Sequence, residues 1–481
     1  MIIPSLSAEW LSLLSLLWSL QMLVLIVWVV LQQRAPVSTL SWILSLLLMP
    51  VFGFVVYYYF GPQRLEKQRM RRLRGQASSQ AMQDMARLRD VEQEAPQELL
   101  QLVTLGAATS GIPVSSADDV LLLSGGDRTY DAIFEAIRAA RHHVHLEYYI
   151  YEPDKIGTAL RDLLVGKAQA GVQVRLLVDA LGSKRVGKKF LAPLVAAGAD
   201  VAFFHESRIG RRWRPVTNFR THRKIVVCDG RVGFTGGVNI TDEEDPRTRD
   251  DAYHDVHLRI EGCAVRWLQT VFLEDWFYST GQNAEVLGQA VEQLLPPLKP
   301  GNIPVQIVTS GPDSEHEAIH RMHVAAINIA TQRAWLTTPY FVPSESALMA
   351  LTNAALRGVD VRLMVPRMSD SRLVTAAARS YYDKLIEAGV KIWEYEARML
   401  HSKTLLVDEH CAMLGTANFD NRSFRLNFEV MAVVFGPALA KPLAAQFHED
   451  STHATEVQLH RRLPFWPRLG VASARLLSPL L

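Results

Sequence analysis

Cysteine is scarce. Only Cys228, Cys263 and Cys411 occur among 481 residues. An odd number so widely spaced excludes a disulfide framework and shows no zinc spacing. An excess of charge is lacking too. Lys plus Arg number 51 and Asp plus Glu 49, a formal net charge of +2. Nucleic-acid-binding chains are usually strongly basic on at least one domain, so the balance argues against nucleic acid as a partner. At 49% hydrophobic and 21% charged, the chain buries large cores and is not disordered.

Charge is missing altogether from Trp10 to Leu31, where Leu, Val, Ile and Trp dominate. After Gln32-Gln33-Arg34 a second uncharged run reaches Gln63 and is apolar from Leu40 to Phe60. Each run is the length of one bilayer crossing, about 20 residues. Tyr57, Tyr58 and Tyr59 suit an aromatic belt. A cleavable signal peptide is disfavoured, because residues 1–9 hold no Lys or Arg and no small-residue cleavage pattern follows. Arg64, Lys67, Arg69, Arg71, Arg72 and Arg74 then face only Glu66, whereas the hairpin tip carries Arg34 alone. The positive-inside rule places the tip outside and everything after residue 63 in the cytoplasm. The same cluster suits contact with anionic headgroups, with a pure topology signal as the equal alternative. Residues 75–112 read as a connector with amphipathic helical pieces such as Ala81–Val91.

From about residue 113 the chain repeats itself. Leu-Leu-Ser-Gly-Gly-Asp at 122–127 matches Val-Thr-Ser-Gly-Pro-Asp at 308–313, and Ala132-Ile133 matches Ala318-Ile319 at the same offset of 186. Gly171–Val178 matches Gly358–Val365. Two copies make a duplicated domain rather than a solenoid. Each copy reads as strand, helix, strand: Val144–Tyr151, Thr158–Ala170 and Val172–Val178 in the first, and Trp335–Val342, Ser346–Arg357 and Val359–Val365 in the second. Alternating strands and helices predict an α/β domain with a mostly buried sheet.

Near the end of each copy stands the most specific signal. The first has His222, Lys224 and Asp229, followed by Gly236-Gly237-Val-Asn239. The second has His401, Lys403 and Asp408, followed by Gly415-Thr416-Ala-Asn418, at identical spacing. His and Lys two apart share one face of a strand. A following apolar strand, Val232–Thr235 or Ala412–Leu414, brings Gly236 or Gly415 and the Asn to the same end of the sheet.

This paired histidine-lysine-aspartate pattern resembles the phospholipase D superfamily. With the hairpin and the overall length, the chain resembles the bacterial cardiolipin synthases of that superfamily. The resemblance covers nearly all 481 residues. It implies two α/β sandwich halves with pseudo-twofold symmetry behind a two-helix transmembrane hairpin. The expected boundaries are 1–63 for the hairpin, 64–112 for the connector, 113–290 for the first half and 291–481 for the second half with its tail. Gly237 departs from the pattern, since many members have Ser there. Thr416 keeps the hydroxyl in the second copy only.

The chemistry follows from the residue types. One neutral imidazole attacks phosphorus and forms a phosphohistidine. The other protonates the leaving alcohol and later deprotonates the incoming one. Lys224 and Lys403 neutralise the non-bridging oxygens, while Asn239, Asn418 and Thr416 donate hydrogen bonds. Which histidine attacks is not readable from the residues. The resemblance assigns the nucleophile to His222 and acid/base work to His401. It also implies a carboxylate after each Gly-x-x-Asn to fix the imidazole tautomer, for which Asp255 and Glu429 are the candidates. Asp229 and Asp408 belong to the catalytic pattern of the resemblance, but their distance along the strand favours strand ends or loops over substrate contact.

The expected reaction condenses two phosphatidylglycerols into cardiolipin and glycerol, with no metal or other cofactor. Phosphatidylglycerol and anionic membrane lipids are the implied partners, and the bacterial inner membrane the implied location. A hydrolase releasing phosphatidic acid and a transferase using phosphatidylethanolamine stay open at residue level, as does self-association into a homo-oligomer. A nuclease is disfavoured by the apolar spans and the neutral charge, and a catalytically dead scaffold by two intact motifs. His316-Glu317-Ala-Ile-His320 has the spacing of a zinc helix, but the first copy holds Tyr130, Asp131 and Phe134 at the matching places. Arg208, Arg211, Arg212, Trp213 and Arg214 form a basic loop, read equally as a lipid contact or a solvated loop. The tail from Leu463 is read equally as an interfacial helix or as docked on the catalytic domain.

Overall fold

The computed structural model describes residues 8–31, 36–49, 53, 97–205, 219–282, 294–459, 464–476 and 478. The tyrosines 57–59, the basic segment 64–74, most of the connector and the loop from Arg208 to Arg214 lie outside the described residues. By their internal contacts, one unit lies within residues 1–68 and a large unit holds most of the chain beyond them.

The N-terminal unit is built on two helices, Ala8–Leu31 and Pro36–Leu48. Leu-rich sequence favours the helix, and Pro36 suits a first helical position. The helices meet through Met22, Val29 and Leu46. Leu16, Leu20, Leu23, Val24, Val27, Leu40, Leu44 and Leu47 stay exposed, so both helices are apolar on their outer faces as well. Counting only fully described residues, no helix is long and apolar enough to cross a membrane. The second expected span continues to Phe60, past the described part.

The described residues of the large unit form eighteen strands. They are β1 Ser115–Ala117, β2 Asp119–Ser124, β3 His143–Tyr148, β4 Gln173–Asp179, β5 Asp200–Phe204, β6 Ile225–Cys228, β7 Val232–Gly236, β8 Val256–Glu261 and β9 Ile303–Ser310. The remainder are β10 Arg333–Thr337, β11 Phe341–Val342, β12 Asp360–Pro366, β13 Lys391–Tyr395, β14 Thr404–Val407, β15 Cys411–Gly415, β16 Phe419–Asp420, β17 Glu429–Phe435 and β18 Ala454–Glu456. The first sheet runs β2-β8-β7-β6-β3-β4-β5. The second runs β9-β17-β15-β14-β10-β12-β13, with β1 and β18 added at its edges. Position by position the orders are the same, so the sequence repeat is a structural repeat.

Each sheet is mixed. β3, β4 and β5 are parallel, as are β10, β12 and β13, and the other pairings within both sheets are antiparallel. The inner parallel strands β4 and β12 are largely buried and dominated by apolar residues, with Arg175 and Arg362 at matching places in each. The helix Gly126–Ala139 places Tyr130, Ile133 and Ile137 against the first sheet, and Ala318–Ile329 places Ile319, Met322 and Ala326 against the second. Their spacing is that of one helical face.

One segment departs from the expected boundaries. β1, inside the expected first half, pairs with β9 of the second sheet. The preceding helix Leu100–Ser110 sends Leu102 and Val103 into the second core. Gln306 holds it there, donating to the carbonyls of Val103 and Ile112 at 3.1 and 2.9 Å. The end of the connector therefore belongs physically to the second half. The C-terminal helix Phe465–Leu476 also docks there, with Ala474 buried beside Val342 and Ala377. Tyr381 and Ser478 share a hydrogen bond at 3.0 Å.

Candidate active site

His222 and Lys224 stand just before β6, and His401 and Lys403 just before β14. The expectation that they lie on the strand itself needs this correction. The reason is pairing: each motif segment exchanges backbone hydrogen bonds with the opposite half. His222 N–H donates to the Phe428 carbonyl at 2.9 Å, and Phe428 N–H to that of Arg220 at 2.9 Å. Reciprocally, His401 N–H donates to the His254 carbonyl at 2.7 Å, and His254 N–H to that of Met399 at 2.8 Å.

The same crossing delivers the carboxylates. His222 Nδ1 meets Glu429 Oε2 at 3.0 Å, and His401 Nδ1 meets Asp255 Oδ2 at 2.6 Å. Each histidine therefore takes its acidic partner from the other half. With Nδ1 held by a carboxylate, Nε2 of each ring is left for substrate. Asp255 and Glu429 are both fully buried.

Lys224 and Lys403 are also buried. Lys224 Nζ donates to the His222 carbonyl at 3.0 Å, and Lys403 Nζ to the His401 carbonyl. Lys403 Nζ lies 3.5 Å from Asp255. Burial, then the charge of Lys403, lowers the Lys224 ammonium to about 7, and burial lowers that of Lys403. Burial brings the His222 imidazole to about 4, against the attraction of Glu429. His401 is held well below its ordinary value by burial, then by Lys403. For Glu429, burial acts upward, but the charge and hydrogen bond of His222 bring the carboxyl below the usual range. Asp255 is raised by burial. The cations of both halves act on the histidines of both halves, so the four groups form one electrostatic unit.

The remaining predicted residues divide. Thr416 Oγ1 donates to Glu429 Oε2 at 2.5 Å and accepts from Val430 N–H at 3.0 Å. Its hydroxyl is committed to positioning Glu429, a correction to the expected role as a substrate donor. Asn239 Nδ2 donates to Glu244 Oε1 at 3.0 Å. The Oδ1 atoms of Asn239 and Asn418 are buried and find no hydrogen-bond partner among the described residues. Gly236 and Gly415 allow close strand approach: a Cβ on Gly415 would stand 2.3 Å from the Val430 oxygen, and one on Gly236 2.6 Å from His257 Cα. At Gly237 a Cβ would stand 2.0 Å from Asp255 Oδ1. The missing Ser is thus explained, because the carboxylate that serves His401 fills the space.

Asp229 and Asp408 lie beyond the far ends of β6 and β14. Asp229 accepts backbone N–H bonds from Arg141, His142 and His143, and Asp408 from Thr331, Gln332 and Arg333. In both, burial acts upward, but these bonds bring the carboxyl below its usual range. Both also hold positive φ, 55° and 51°. They organise turns, which corrects the catalytic place that the resemblance implied for them.

His316 precedes its helix, which begins at Ala318, so it shares no helical face with His320. His320 is engaged by Glu317 at 2.9 Å and Ser344 at 2.7 Å.

Three neighbours were not predicted. Glu244, fully buried, lies 3.8 Å from His401 Nδ1. Asn427 Nδ2 donates to Glu429 Oε1 at 3.1 Å. Tyr149 sets its ring edgewise on His222, centroids 4.9 Å apart. The ligand atoms of Glu244, Asp255 and His401 fall within 4.8 Å of one another, close enough to surround a cation. Here Nδ1 is bonded to Asp255 and Glu244 Oε1 to Asn239, forming a hydrogen-bonded cluster. Glu244 carried a faint signal in the repeat: it stands five residues after Asn239, as Ser423 stands after Asn418.

This paired arrangement has relatives. The family described as "Cardiolipin synthase, PLD-like domain" matches residues 133–276 and 324–451, and "Phospholipase_D-nuclease N-terminal" matches residues 22–62. A cardiolipin synthase of Geobacillus thermodenitrificans is 40% identical over 468 residues, covering 94% of this chain and 90% of its own. One from Geobacillus kaustophilus is 39% identical, covering 98% and 94%. Among solved structures, a phosphatidylserine synthase of Haemophilus influenzae is 14% identical, with a TM-score of 0.60 over 80% of this chain and 100% of its own, a likeness of fold. Two copies of one sheet, two buried His-Lys pairs facing each other and identity of about 40% along nearly the whole length place the chain in the cardiolipin synthase family of the phospholipase D superfamily.

Proposed function

We infer that the protein is a membrane-bound phosphatidyltransferase that joins two phosphatidylglycerols into cardiolipin and releases glycerol. The observation that carries the reading is the crossed pair His222–Glu429 and His401–Asp255, with Lys224 and Lys403 buried beside them. The names of the full-length relatives support the same activity.

His222 Nε2 attacks phosphorus of the first lipid, and the bond to the headgroup glycerol breaks. His401, whose imidazolium the anionic phosphodiester favours against burial, gives that glycerol its proton. The glycerol hydroxyl of the second lipid then returns a proton to His401 and attacks the phosphohistidine. The P–N bond breaks and His222 is restored. One phosphodiester replaces another, so no ATP is consumed. Lys224 and Lys403 balance the charge on the equatorial oxygens. Asn239 Oδ1 and Asn418 Oδ1, buried and unpaired, are acceptors suited to the headgroup hydroxyls.

The apolar helices at the N-terminus suit an inner-membrane hairpin, with the catalytic unit on the cytoplasmic side. Within that scheme residues 1–63 are the anchor, and two phospholipase D-type halves follow the connector. Purified protein is given phosphatidylglycerol vesicles with EDTA present and the products are read by mass spectrometry. Cardiolipin with equimolar glycerol is expected. Phosphatidic acid without cardiolipin refutes lipid-to-lipid transfer.

A further inference from the structure

The two halves do not contribute equally around the histidines. His401 Nδ1 faces two carboxylates of the first half, Asp255 at 2.6 Å and Glu244 at 3.8 Å. His222 Nδ1 faces Glu429 at 3.0 Å, and that carboxylate already accepts from Thr416 and Asn427. At the place of Glu244 the second half has Ser423. Both residues do the same local task, since Glu244 Oε1 accepts from Asn239 N–H at 3.2 Å and Ser423 Oγ from Asn418 N–H at 3.1 Å. A neutral serine suffices for that bond. A buried carboxylate is far more costly to place there, and burial together with Asp255 raises its proton affinity.

We propose that Glu244 is a positioning residue that divides the labour of the two histidines, favouring the imidazolium of His401 and so leaving His222 as the nucleophile. The inference rests on the transferase reading above. Its physical basis is charge. An imidazolium at His401 is met by two carboxylates, one at His222 by a single carboxylate whose charge is shared among hydrogen bonds. Glu244 acts on His401 without touching substrate. The other groups facing His401 are Lys403 beside it, Lys224 and His222 across the site, and the ring of Tyr253 at 5.7 Å. Glu244 itself is met by Asp255, Lys403, Asn239 and the tyrosines Tyr130, Tyr148 and Tyr253.

The full-length protein, E244Q and E244D are compared in phosphatidylglycerol vesicles across pH. Gln keeps an oxygen for the Asn239 N–H bond and removes the charge. Loss of a nearby negative charge lowers the imidazolium pKa, so the alkaline limb of kcat moves to lower pH, by about one unit. We expect kcat at neutral pH to fall about tenfold, with KM within about twofold. E244D retains the charge at a greater distance and moves the limb less. S423A, which removes the equivalent bond in the second half, leaves the limb in place. An unmoved limb in folded E244Q overturns the proposal. If E244Q does not fold, E244A, which also removes the charge, carries the test, and an unmoved limb there overturns the proposal equally. Wild-type protein that makes no cardiolipin refutes the transferase reading; an active wild type with an unmoved variant limb refutes only the role of Glu244.

Discussion

The first half lends Asp255 and Glu244 to the histidine of the second, and the second half returns Glu429, braced by Thr416 and Asn427. Strand order is identical in the two halves, so the difference lies in a few polar side chains on a common scaffold. Gly237 and Thr416 show how it is built. They occupy matching positions, yet one makes room for a carboxylate and the other donates a hydroxyl to one. Duplication supplies two histidines in one site. Divergence of their surroundings gives the two histidines different polar neighbours.

The comparison is tested most severely by deleting each histidine. H222A and H401A should each lose at least about 10³-fold in cardiolipin formation. A phosphodiester with a nitrophenol leaving group needs no proton from the enzyme. With it H401A should still label His222 after quenching in alkaline denaturant, where the P–N bond survives, whereas H222A should give no phosphohistidine. Label on His401 would reverse the assignment.

The carboxylates come next. D255N and E429Q should each cost about 10²–10⁴ in kcat, the scale for misorienting a catalytic imidazole. Imidazole NMR signals should show the crossing, with D255N shifting His401 and E429Q shifting His222. The opposite pattern would deny exchange between halves.

A smaller effect is expected where the halves differ by one hydroxyl. T416V should lower kcat about tenfold, since Glu429 loses one donor worth about 1–2 kcal/mol. G237S should be worse than T416V, because its Cβ meets Asp255. Activity in G237S equal to wild type would show that the first half tolerates the group it lacks.

The least catalytic effect belongs to Asp229 and Asp408. D229N and D408N should keep kcat within about threefold and lower stability by about 1–3 kcal/mol, the scale of lost hydrogen bonds to a carboxylate. Both carboxyls are held below their ordinary range in the fold. Their contribution is therefore complete above the unfolded pKa, near 4, and is lost as pH falls through the folded value. Thermal melts at pH 7 and at pH 3 check this: the deficit of D229N should shrink at the lower pH.

Much of this architecture was legible because it rests on local pattern. The runs Val172–Val178 and Val359–Val365 appear as β4 and β12 within a residue of the predicted ends, since apolar residues dominate strands buried inside a sheet. His222, Lys224, His401 and Lys403 were singled out by their spacing, and the structure brings them together in one buried cluster. The edge strand β1 was misplaced, because a three-residue strand carries no periodicity that names its partner. Glu244 was missed because an acidic residue in a polar loop looks solvated until the fold buries it. The role expected of Thr416 failed for a related reason: a hydroxyl next to a site has two acceptors within reach, and only packing chooses between them.

The sequence by itself determined the repeat, the paired motif and the apolar N-terminus, each read from short local patterns of residues. The crossed pairing of His222 with Glu429 and His401 with Asp255, the commitment of Thr416 and the burial of Glu244 were decided only by tertiary structure. Those contacts join residues up to 207 positions apart. Their geometry arises when two sheets close on each other, and a linear pattern carries no term for that distance.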